Sequence, residues 1–441
     1  MRAFRTAIVA GTTINVPKET PVTTAATAAS QPTPQAVSPA TPVAASRVRQ
    51  AVVLAALFAA WAVAYTDRIV IGTAIIPISR ELALSDAAKG YVLGAFYVTY
   101  ALMQLGGGAL ADRFGARRVL VGCLALWSLF TALTGAAWSL GSLLAFRLLF
   151  GVGEGSFAPA SSTAIVQTFP QQVRARVQAL LCSTVFLGGA AGAATVGWTI
   201  ARIGWRQTFL MLGALGAVVA FALLVVPGRN HASQAAETAD AAEAVKARPR
   251  WRDIARDPLV WRVALTWFGC CVLALGLQAW LPIWLMRTRG IDLLHIGFIS
   301  AIPLLASFVG TNLAGFAIDR LPAARLKHLL AGGALASAAF AAAMPFAGSL
   351  AALIACWTLC MLAFDVVYAG VFAIPLKHFP ASVAGRTTGL INFAGQLAGA
   401  ISPVVVGALV GRAGWAAAFA FLTCGALVAS AAALGCRFQA R

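Results

Sequence analysis

Two pairs of opposite charges interrupt apolar stretches of this 441-residue chain. Arg147 and Glu154 lie in an apolar segment that runs from about 140 to 166, and Asp67 and Arg68 are neighbours in the first apolar segment. Seven residues along an α-helix return to within about 20° of the starting direction, so Arg147 and Glu154 point the same way. A charge at mid-membrane costs at least about 2.5–3.5 kcal/mol. We therefore expect these four side chains to face a cavity, a partner or a substrate.

The chemistry of these four residues suits the binding of an anion together with a proton. Arg68 and Arg147 are predicted substrate-binding residues, because a guanidinium group binds a carboxylate through two parallel hydrogen bonds. Asp67 and Glu154 are predicted proton carriers, because a carboxyl group takes up a proton when a substrate captures its arginine partner. The alternative is a structural role, in which Arg147 pairs with Glu154 or Asp67 pairs with another helix.

The composition identifies the class of protein. Hydrophobic residues make up 60% of the chain and charged residues 11%, against about 45–50% and 25% in soluble proteins, so the chain is a polytopic membrane protein. The net charge of +19 is typical of basic cytoplasmic loops, and no basic run is interleaved with aromatic residues, so nucleic acid is not an expected partner. The eight cysteines show no metal-ligand spacing, and we expect neither a metal nor another cofactor.

A hydrophilic loop at 228–257 divides twelve apolar segments into two groups of six. Each segment is long enough to cross a ~30 Å hydrocarbon core. They are predicted near 50–77, 88–110, 117–137, 141–165, 177–200, 207–227, 258–286, 294–317, 327–346, 349–375, 386–410 and 415–435. The expected fold is an all-α membrane protein with twelve transmembrane helices in two pseudo-symmetric six-helix bundles, 48–227 and 258–436. Residues 1–47 are predicted to form a disordered tail and 437–441 a short C-terminus.

The basic residues predict the orientation of the chain. Most of the 33 lysines and arginines fall on the same side as the central loop and both termini. Because cytoplasmic loops carry an excess of Lys and Arg, both termini are predicted to be cytoplasmic, in the inner (plasma) membrane. The sequence contains no nucleotide-binding loop of the Walker type, so an ion gradient is the expected source of energy.

The two halves repeat each other at three equivalent positions. Gly108-Ala-Leu-Ala-Asp112-Arg113 matches Gly315-Phe-Ala-Ile-Asp319-Arg320 at a shift of 207 residues. Two further pairs match at a shift of 210 residues: Phe169-Pro170 with Phe379-Pro380, and Gly204-Trp205 with Gly414-Trp415. The pattern predicts a tandem duplication of a six-helix unit, which places the site near the midplane between the two repeats.

The first repeated turn carries a family resemblance. Gly108-Ala-Leu-Ala-Asp112-Arg113-Phe-Gly115-Ala-Arg117-Arg118 resembles the loop motif of the major facilitator superfamily, and the stretch from Gly315 through Asp319 and Arg320 resembles its weaker second copy. Its charges are interpreted as a latch between helix ends on the cytoplasmic face, which must break when the inner gate opens. A solvated basic turn that only fixes topology is the alternative.

A narrower resemblance involves the buried charges. Tyr65-Thr-Asp67-Arg68, together with Arg147 and Glu154, resembles the anion:cation symporter family, whose members include proton-coupled carriers of sugar acids and other organic anions. The resemblance implies that Glu154 is the principal proton site and Asp67 the second.

Neutral polar residues complete the predicted substrate site. They are Tyr65, Gln278, Asn392 and Gln396, of which the resemblance implies that the last three lie near the substrate; for each, an interhelical hydrogen bond is the alternative. Asp365 matches no family motif. Since the other four buried charges sum to zero, an ionised Asp365 would leave one excess negative charge. It is predicted to act in proton coupling or substrate choice, with a structural hydrogen bond as the alternative.

These observations predict a transporter and not an enzyme. The expected activity is import of an organic anion, such as a hexonate, a hexuronate or another carboxylate, by proton symport with alternating access. The expected partners are the anion, protons and the lipid bilayer, and the chain is expected to work as a monomer. The alternative is a proton-coupled exporter or exchanger of drugs or metabolites. The buried arginines disfavour that alternative, and the lack of a membrane-embedded histidine in the sequence disfavours an enzyme.

Overall fold

The computed structural model describes residues 43–225, 256–321, 323–379 and 381–436. These residues form helices and turns and no strand, which confirms the all-α prediction. The helices are α1 (Val43–Glu81), α2 (Asp86–Phe114), α3 (Ala116–Gly135), α4 (Leu140–Gly155), α5 (Phe157–Thr168), α6 (Gln171–Val225), α7 (Pro258–Arg289), α8 (Leu293–Arg320), α9 (Ala323–Ala343), α10 (Leu350–His378) and α11 (Ala381–Leu434).

The predicted tail, loop and C-terminus fall largely outside these ranges. The first helix begins at Val43, so residues 43–47 are helical and not part of a tail. The remainder of the predicted tail, most of the loop at 228–257 and residues 437–441 lie outside the described residues.

Nine spans within the described ranges are long and apolar enough to cross a membrane. Two of them, Arg176–Val225 and Arg386–Leu434, contain 50 and 49 residues. A bilayer needs only about 20 residues for one crossing, so these spans are too long for a single one. The fifth and sixth predicted segments are the two parts of α6, and the eleventh and twelfth are the two parts of α11. Helix α2 corresponds to the second predicted segment, although it is not among the nine apolar spans.

Glycines bend both long helices. Gly204 in α6 has φ +83° and Gly414 in α11 has φ +79°. Residues that carry a side chain rarely adopt a backbone φ in this left-handed region, so glycine is the residue that permits the bend. The repeated Gly-Trp pair in the sequence therefore corresponds to the same bend in both halves.

The fourth predicted segment contains two helices, α4 and α5, that meet at Ser156. Pro159 in the first turn of α5 has no N–H to bond to the carbonyl oxygen of Gly155, and its ring crowds that group. The helix is interrupted there, one residue after Gly155 and two after Glu154.

The N-terminal half (α1–α6) and the C-terminal half (α7–α11) pack closely at one end of the helices. We call it the Ser85 end, because the turn before Ser85 joins α1 to α2 there. At Gly90 and Gly94 of α2, an added Cβ would come within 2.6 Å of carbonyl oxygens of α11. At Gly197 of α6, it would come within 2.8 Å of a carbonyl oxygen of α8. Because only glycine fits at these positions, the backbones of the two halves approach each other here and close this end.

An ion pair also joins the two halves at the Ser85 end. Arg287 of α7 donates to both carboxylate oxygens of Asp86, at 2.9 and 2.8 Å, and Lys89 donates to the same group at 2.7 Å. Partial burial raises the pKa of Asp86, but the hydrogen bonds from Arg287 and Lys89 outweigh it, so the pKa lies below its ordinary value. The stabilisation is therefore fully present above the ordinary aspartate pKa of about 3.9, and it is lost only as the pH falls through the lowered pKa.

The loop motif lies at the opposite end, which we call the Gly115 end. Gly115 has φ +85° and links α2 to α3. Arg117 donates to the carbonyl oxygens of Leu223 and Leu224 near the C-terminus of α6, where a cation is favourable. This contact joins helices of the same half.

The other charges of the motif make no described contact with the opposite half. The Arg113 guanidinium lies over the ring of Phe114, and in the second copy Arg320 lies over Phe316. Arg118 is exposed. The side chains of Asp112 and Asp319 lie outside what the structure describes, so the latch stays a prediction for them.

Replacing Asp86 by Asn should weaken the closure of the Ser85 end. Loss of such a pair costs about 1 kcal/mol, which corresponds to about a fivefold shift towards a state open at this end. Cys271, which lines a central cavity, is a native reporter of that opening. With both termini cytoplasmic, as the sequence predicts, the Ser85 end faces the outside of the cell. In a background with the exposed Cys182 and Cys424 replaced by Ser, a membrane-impermeant thiol reagent added to intact cells should then label Cys271 up to about fivefold faster. Labelling is read by peptide mass spectrometry.

Glu81→Gln is the matched control. The 2.7 Å ion pair between Glu81 and Arg206 lies at the same end, but both partners belong to the N-terminal half, so labelling of Cys271 should keep its original rate. Since Asp86 stays ionised well above its lowered pKa, the ratio of the Asp86→Asn rate to the parent rate should not change between about pH 8 and pH 5. Equal labelling of Cys271 with and without Asp86→Asn would show that this pair does not hold the end closed.

Candidate functional site

A central cavity of about 220 Å³ lies between helices of both halves. Five of the predicted site residues line it: Tyr65 and Arg68 from α1, Gln278 from α7, Asp365 from α10 and Gln396 from α11. The fold therefore brings together residues that are up to 331 positions apart in the sequence, from Tyr65 to Gln396. A smaller cavity of about 30 Å³ adjoins this wall and is lined by Arg68, Gln278 and Arg147, among others.

Arg68 forms an ion pair with Glu154. Its Nε lies 2.7 Å and its Nη2 2.5 Å from the same carboxylate oxygen, Oε1. The Arg68 side chain is 13% exposed and that of Glu154 only 2%, so the arginine faces the cavity and the carboxylate lies behind it. The second oxygen of Glu154, Oε2, has no hydrogen-bond partner. Glu154 therefore pairs with Arg68 of α1 and not with Arg147, which lies on the same helix as Glu154.

Aromatic rings surround the guanidinium group of Arg68. The rings of Tyr65, Phe96 and Tyr100 have centroids 5.0, 5.5 and 4.5 Å from its Cζ. Such rings attract a cation without neutralising it, so Arg68 keeps its charge available for an anion. Phe96 and Tyr100 were not predicted from the sequence. Their spacing of four residues on α2, one helical turn, is the signal that places both rings on one face.

Asp67 and Arg147 lie deeper in the N-terminal half. Asp67 is 1% exposed; its Oδ2 accepts a hydrogen bond from Thr131 of α3 at 3.3 Å, and its Oδ1 has no partner. Arg147 is also 1% exposed; its guanidinium lies 4.3 Å from the ring centroid of Phe150, and its Nε has no partner. In the described part of the chain neither residue forms an ion pair within 4.0 Å. Both thus retain unused hydrogen-bonding capacity in a buried setting.

Glycines bring α4 against its neighbours and so position Arg147 and Glu154. An added Cβ at Gly151 would overlap the hydroxyl oxygen of Thr99 on α2, and one at Gly155 would lie 2.6 Å from the Cβ of Met103. On the other face, a Cβ at Gly153 would lie 2.7 Å from the backbone nitrogen of Trp127 on α3. These close approaches hold Glu154 within reach of Arg68.

Asn392 and Gln396 differ in their placement. The side-chain amide of Asn392 donates to Gln104 of α2, in a contact between the two halves, and Asn392 does not line the 220 Å³ cavity. Gln396 lines the cavity, donates to Asn392 at 3.4 Å, and has an Oε1 without a partner. Gln396 therefore lies where a substrate can reach it, whereas Asn392 forms a hydrogen bond between two helices.

Asp365 lies on the cavity wall and belongs to the half opposite to the arginines. It is 1% exposed, and its Oδ2 has no hydrogen-bond partner. Ser307 and Thr311 of α8 face the carboxyl group, and among the described residues it forms no ion pair. The carboxyl group therefore has neutral hydroxyl neighbours but no partner of opposite charge, and its Oδ2 keeps unused hydrogen-bonding capacity.

An aromatic cluster forms the wall beside Asp365. The ring centroids of Trp267 and Phe364 are 5.6 Å apart, those of Trp267 and Tyr368 5.5 Å, and those of Phe364 and Tyr368 6.4 Å. All three residues line the cavity. They were not predicted as site residues, although Phe364 and Tyr368 flank Asp365 one helical turn apart, which is the pattern that would have identified them.

Comparisons with known proteins agree with this architecture. The family described as Major Facilitator Superfamily matches residues 57–403. A probable sulfoacetate transporter, SauU, from Cupriavidus necator is 32% identical over 370 residues, which cover 80% of this chain and 85% of that protein. A probable galactarate/D-glucarate transporter, GarP, from Escherichia coli is 27% identical over 413 residues, which cover 86% and 92%.

A solved structure shows the same fold. It is a bacterial homolog to the human lysosomal transporter Spinster, in an inward-facing and occupied conformation. It matches with a TM-score of 0.73 and 20% identity, over 86% of this chain and 94% of that one.

Replacing Gly151 by Ala should displace α4 and the two charges that it carries. The added methyl group overlaps Thr99, and overpacking of this kind costs about 1–3 kcal/mol, so the purified protein should melt at a lower temperature. Gly122→Ala on α3 is the control, because no atom lies within 4 Å of the added Cβ and its stability should change by less than about 0.5 kcal/mol. Thermal unfolding in detergent measures both variants. Equal melting temperatures for the two would contradict the close packing of α4 on α2.

Proposed function

This chain belongs to the major facilitator superfamily, and we propose that it moves a small organic anion across the membrane together with protons. Its relatives support an anion as the substrate, since SauU and GarP are named for sulfoacetate and for galactarate and D-glucarate. The central cavity has a volume of about 220 Å³. Sites for drug-sized ligands typically measure about 300–1,000 Å³, so this cavity favours a smaller substrate.

The ion pair between Arg68 and Glu154 is the observation that carries the proposal. Arg68 faces the cavity and Glu154 lies behind it, so one cation serves two anions, the carboxylate and the substrate. A proton on Glu154 releases Arg68, and a substrate carboxylate then takes the vacated hydrogen bonds. Substrate and proton therefore bind together.

Charge neutrality explains why the proton and the substrate cross the membrane together. In the empty carrier, Glu154 and Arg68 neutralise each other; in the loaded carrier, protonated Glu154 is neutral and the substrate neutralises Arg68. A carrier with only the proton or only the anion bears a net charge in this pair. Because a net charge within the membrane interior is costly, only the empty and the fully loaded forms are able to reorient.

Asp67 and Arg147 extend this pair. Both are buried beside it with unused hydrogen-bonding atoms, and Arg147 lines the small cavity next to Arg68. We assign Arg147 to a second contact with the anion and Asp67 to the second proton site. Asp67 directly precedes Arg68 on α1, whereas Asp365 lies on α10 of the opposite half and forms no ion pair among the described residues, so we assign the coupling to Glu154 and Asp67.

Alternating access requires the two halves to separate at each end in turn. We propose twelve spans, with α6 and α11 each crossing twice because of their bends and with α4 and α5 forming one crossing. With both termini cytoplasmic in the inner (plasma) membrane, the Ser85 end faces outward. The glycine contacts and the Asp86–Arg287 pair support an outward gate that is closed here. One chain contains the whole cavity, which supports a functional monomer.

Replacing Glu154 by Gln should separate exchange from accumulation. The loaded carrier is still neutral in this pair, so exchange of labelled for unlabelled anion across a proteoliposome membrane should continue at a rate within about threefold of wild type. The empty carrier now bears the uncompensated charge of Arg68 and cannot return, so net uptake driven by an outside-acidic pH gradient should fall to background.

Asp292→Asn is the matched control, because Asp292 is exposed at the start of α8 and Asn preserves its helix cap. This variant should both exchange and accumulate the anion. Full accumulation by Glu154→Gln would remove Glu154 from the coupling mechanism.

Replacing Arg68 by Ala should abolish anion binding. Loss of a charge-assisted contact of about 1.5–3 kcal/mol lowers affinity by at least about tenfold, measured by equilibrium binding of a labelled acid to the purified protein. The double variant Arg68→Ala with Glu154→Gln avoids an unpaired buried carboxylate, so it should fold and still fail to bind. Arg202→Ala, which removes an exposed arginine of α6, should bind normally. Wild-type affinity in the double variant would rule out Arg68 as the anion-binding group.

A further inference from the structure

The charges on the cavity wall limit the charge of the substrate. Among the described residues that line the 220 Å³ cavity, Arg68 is the single basic residue and Asp365 the single acidic one. A substrate with carboxylates at opposite ends would have one of them at Arg68, where Arg147 of the adjoining small cavity also lies, and the other on the wall that contains Asp365, where no described lining residue is basic. The cavity therefore suits a substrate with one negative charge and an uncharged far end.

The remaining wall suits a ring better than a chain of hydroxyl groups. Trp267, Phe364 and Tyr368 contact one another along one side, and Phe186 and Trp357 also line the cavity. Each hydroxyl group of a sugar acid that faced these rings would lose its hydrogen bonds to water without replacement. An aromatic ring instead stacks on them.

Polar atoms without hydrogen-bond partners lie on residues of the C-terminal half that line the cavity. Oδ2 of Asp365 and the hydroxyl oxygen of Ser300 are buried with no hydrogen-bond partner, and both residues line the cavity. Asp365 is 1% exposed, and the side chains that face it, Ser307 and Thr311 of α8 and the neighbouring Tyr368, carry no positive charge. A ligand that brings a hydrogen-bond donor to this point would satisfy an otherwise unpartnered group.

We propose that the substrate is an aromatic monocarboxylate with a ring hydroxyl group, bound with its carboxylate at Arg68, its ring against Trp267 and Phe364, and its hydroxyl at Asp365. This assignment rests on the proposed function and specifies its substrate class. A hydroxyl group fits better than an ammonium group. An ammonium group needs an ionised Asp365, and that charge would remain uncompensated in the empty carrier.

Uptake of four labelled compounds into proteoliposomes under an outside-acidic pH gradient tests the proposal. The compounds are 4-hydroxybenzoate, benzoate, D-glucarate and tyrosine. We expect uptake efficiency for 4-hydroxybenzoate to exceed that for benzoate by about tenfold, because benzoate brings no hydrogen-bond donor to Oδ2 of Asp365. D-glucarate and tyrosine should be taken up more slowly than benzoate.

Asp365→Ala should bring the ratio of 4-hydroxybenzoate to benzoate uptake close to one while benzoate is still transported. Ser337→Ala, which removes a buried hydroxyl of α9 away from the cavity, should keep the wild-type ratio. The wild-type ratios test the proposal independently of how well the Asp365 variant folds.

Three results would overturn the substrate class and leave the proposed function intact: faster uptake of D-glucarate than of either aromatic acid, fastest uptake of tyrosine, or an unchanged ratio in Asp365→Ala. If the pH gradient drives accumulation of none of these compounds nor of sulfoacetate, the proposed function itself fails.

Discussion

The Nε and Nη2 atoms of Arg68 lie 2.7 and 2.5 Å from Oε1 of Glu154, and because both side chains are largely buried, each charge depends on the other for its neutralisation. Removing one partner of such a pair costs more than the pair itself contributes, because the remaining charge is left buried. In the proposed mechanism, a proton and a substrate anion, added together, replace the pair without leaving a net charge. The energetics of the proposed coupling therefore follow from the burial of one ion pair.

The residues around this pair form two layers. The layer that faces the cavity contains Arg68, Gln278, Gln396 and Asp365, and the layer behind it contains Glu154 with Asp67 and Arg147. A group in the hidden layer acts on the substrate only through Arg68 or the small cavity beside it. In the proposed mechanism this separation keeps the proton sites away from direct contact with the anion, so the proton and the anion interact through the arginine that they share.

Backbone proximity at glycines makes both the site and the gate possible. In the site, α4 approaches α2 and α3 through glycines, and at the Ser85 end α2 and α6 approach the opposite half in the same way. Helices in a membrane gain little from burying apolar side chains against one another, since lipid is equally apolar, so close van der Waals contact is a main source of stability. At the Ser85 end these contacts act together with the ion pair between Asp86 and Arg287 to hold the two halves against each other.

The sequence by itself determined the class of protein, the all-α fold, the family and the identity of the buried charges, because apolar length, charge in apolar segments and repeated turns are local properties of the chain. Local pattern also placed Arg147 and Glu154 on one helix face. It did not determine which arginine pairs with Glu154, that Asn392 contacts Gln104, or that Trp267, Phe364 and Tyr368 form a wall beside Asp365. Those facts depend on how far one helix is shifted and rotated against another. Helix contacts at glycines set that geometry, and only the tertiary structure decides it.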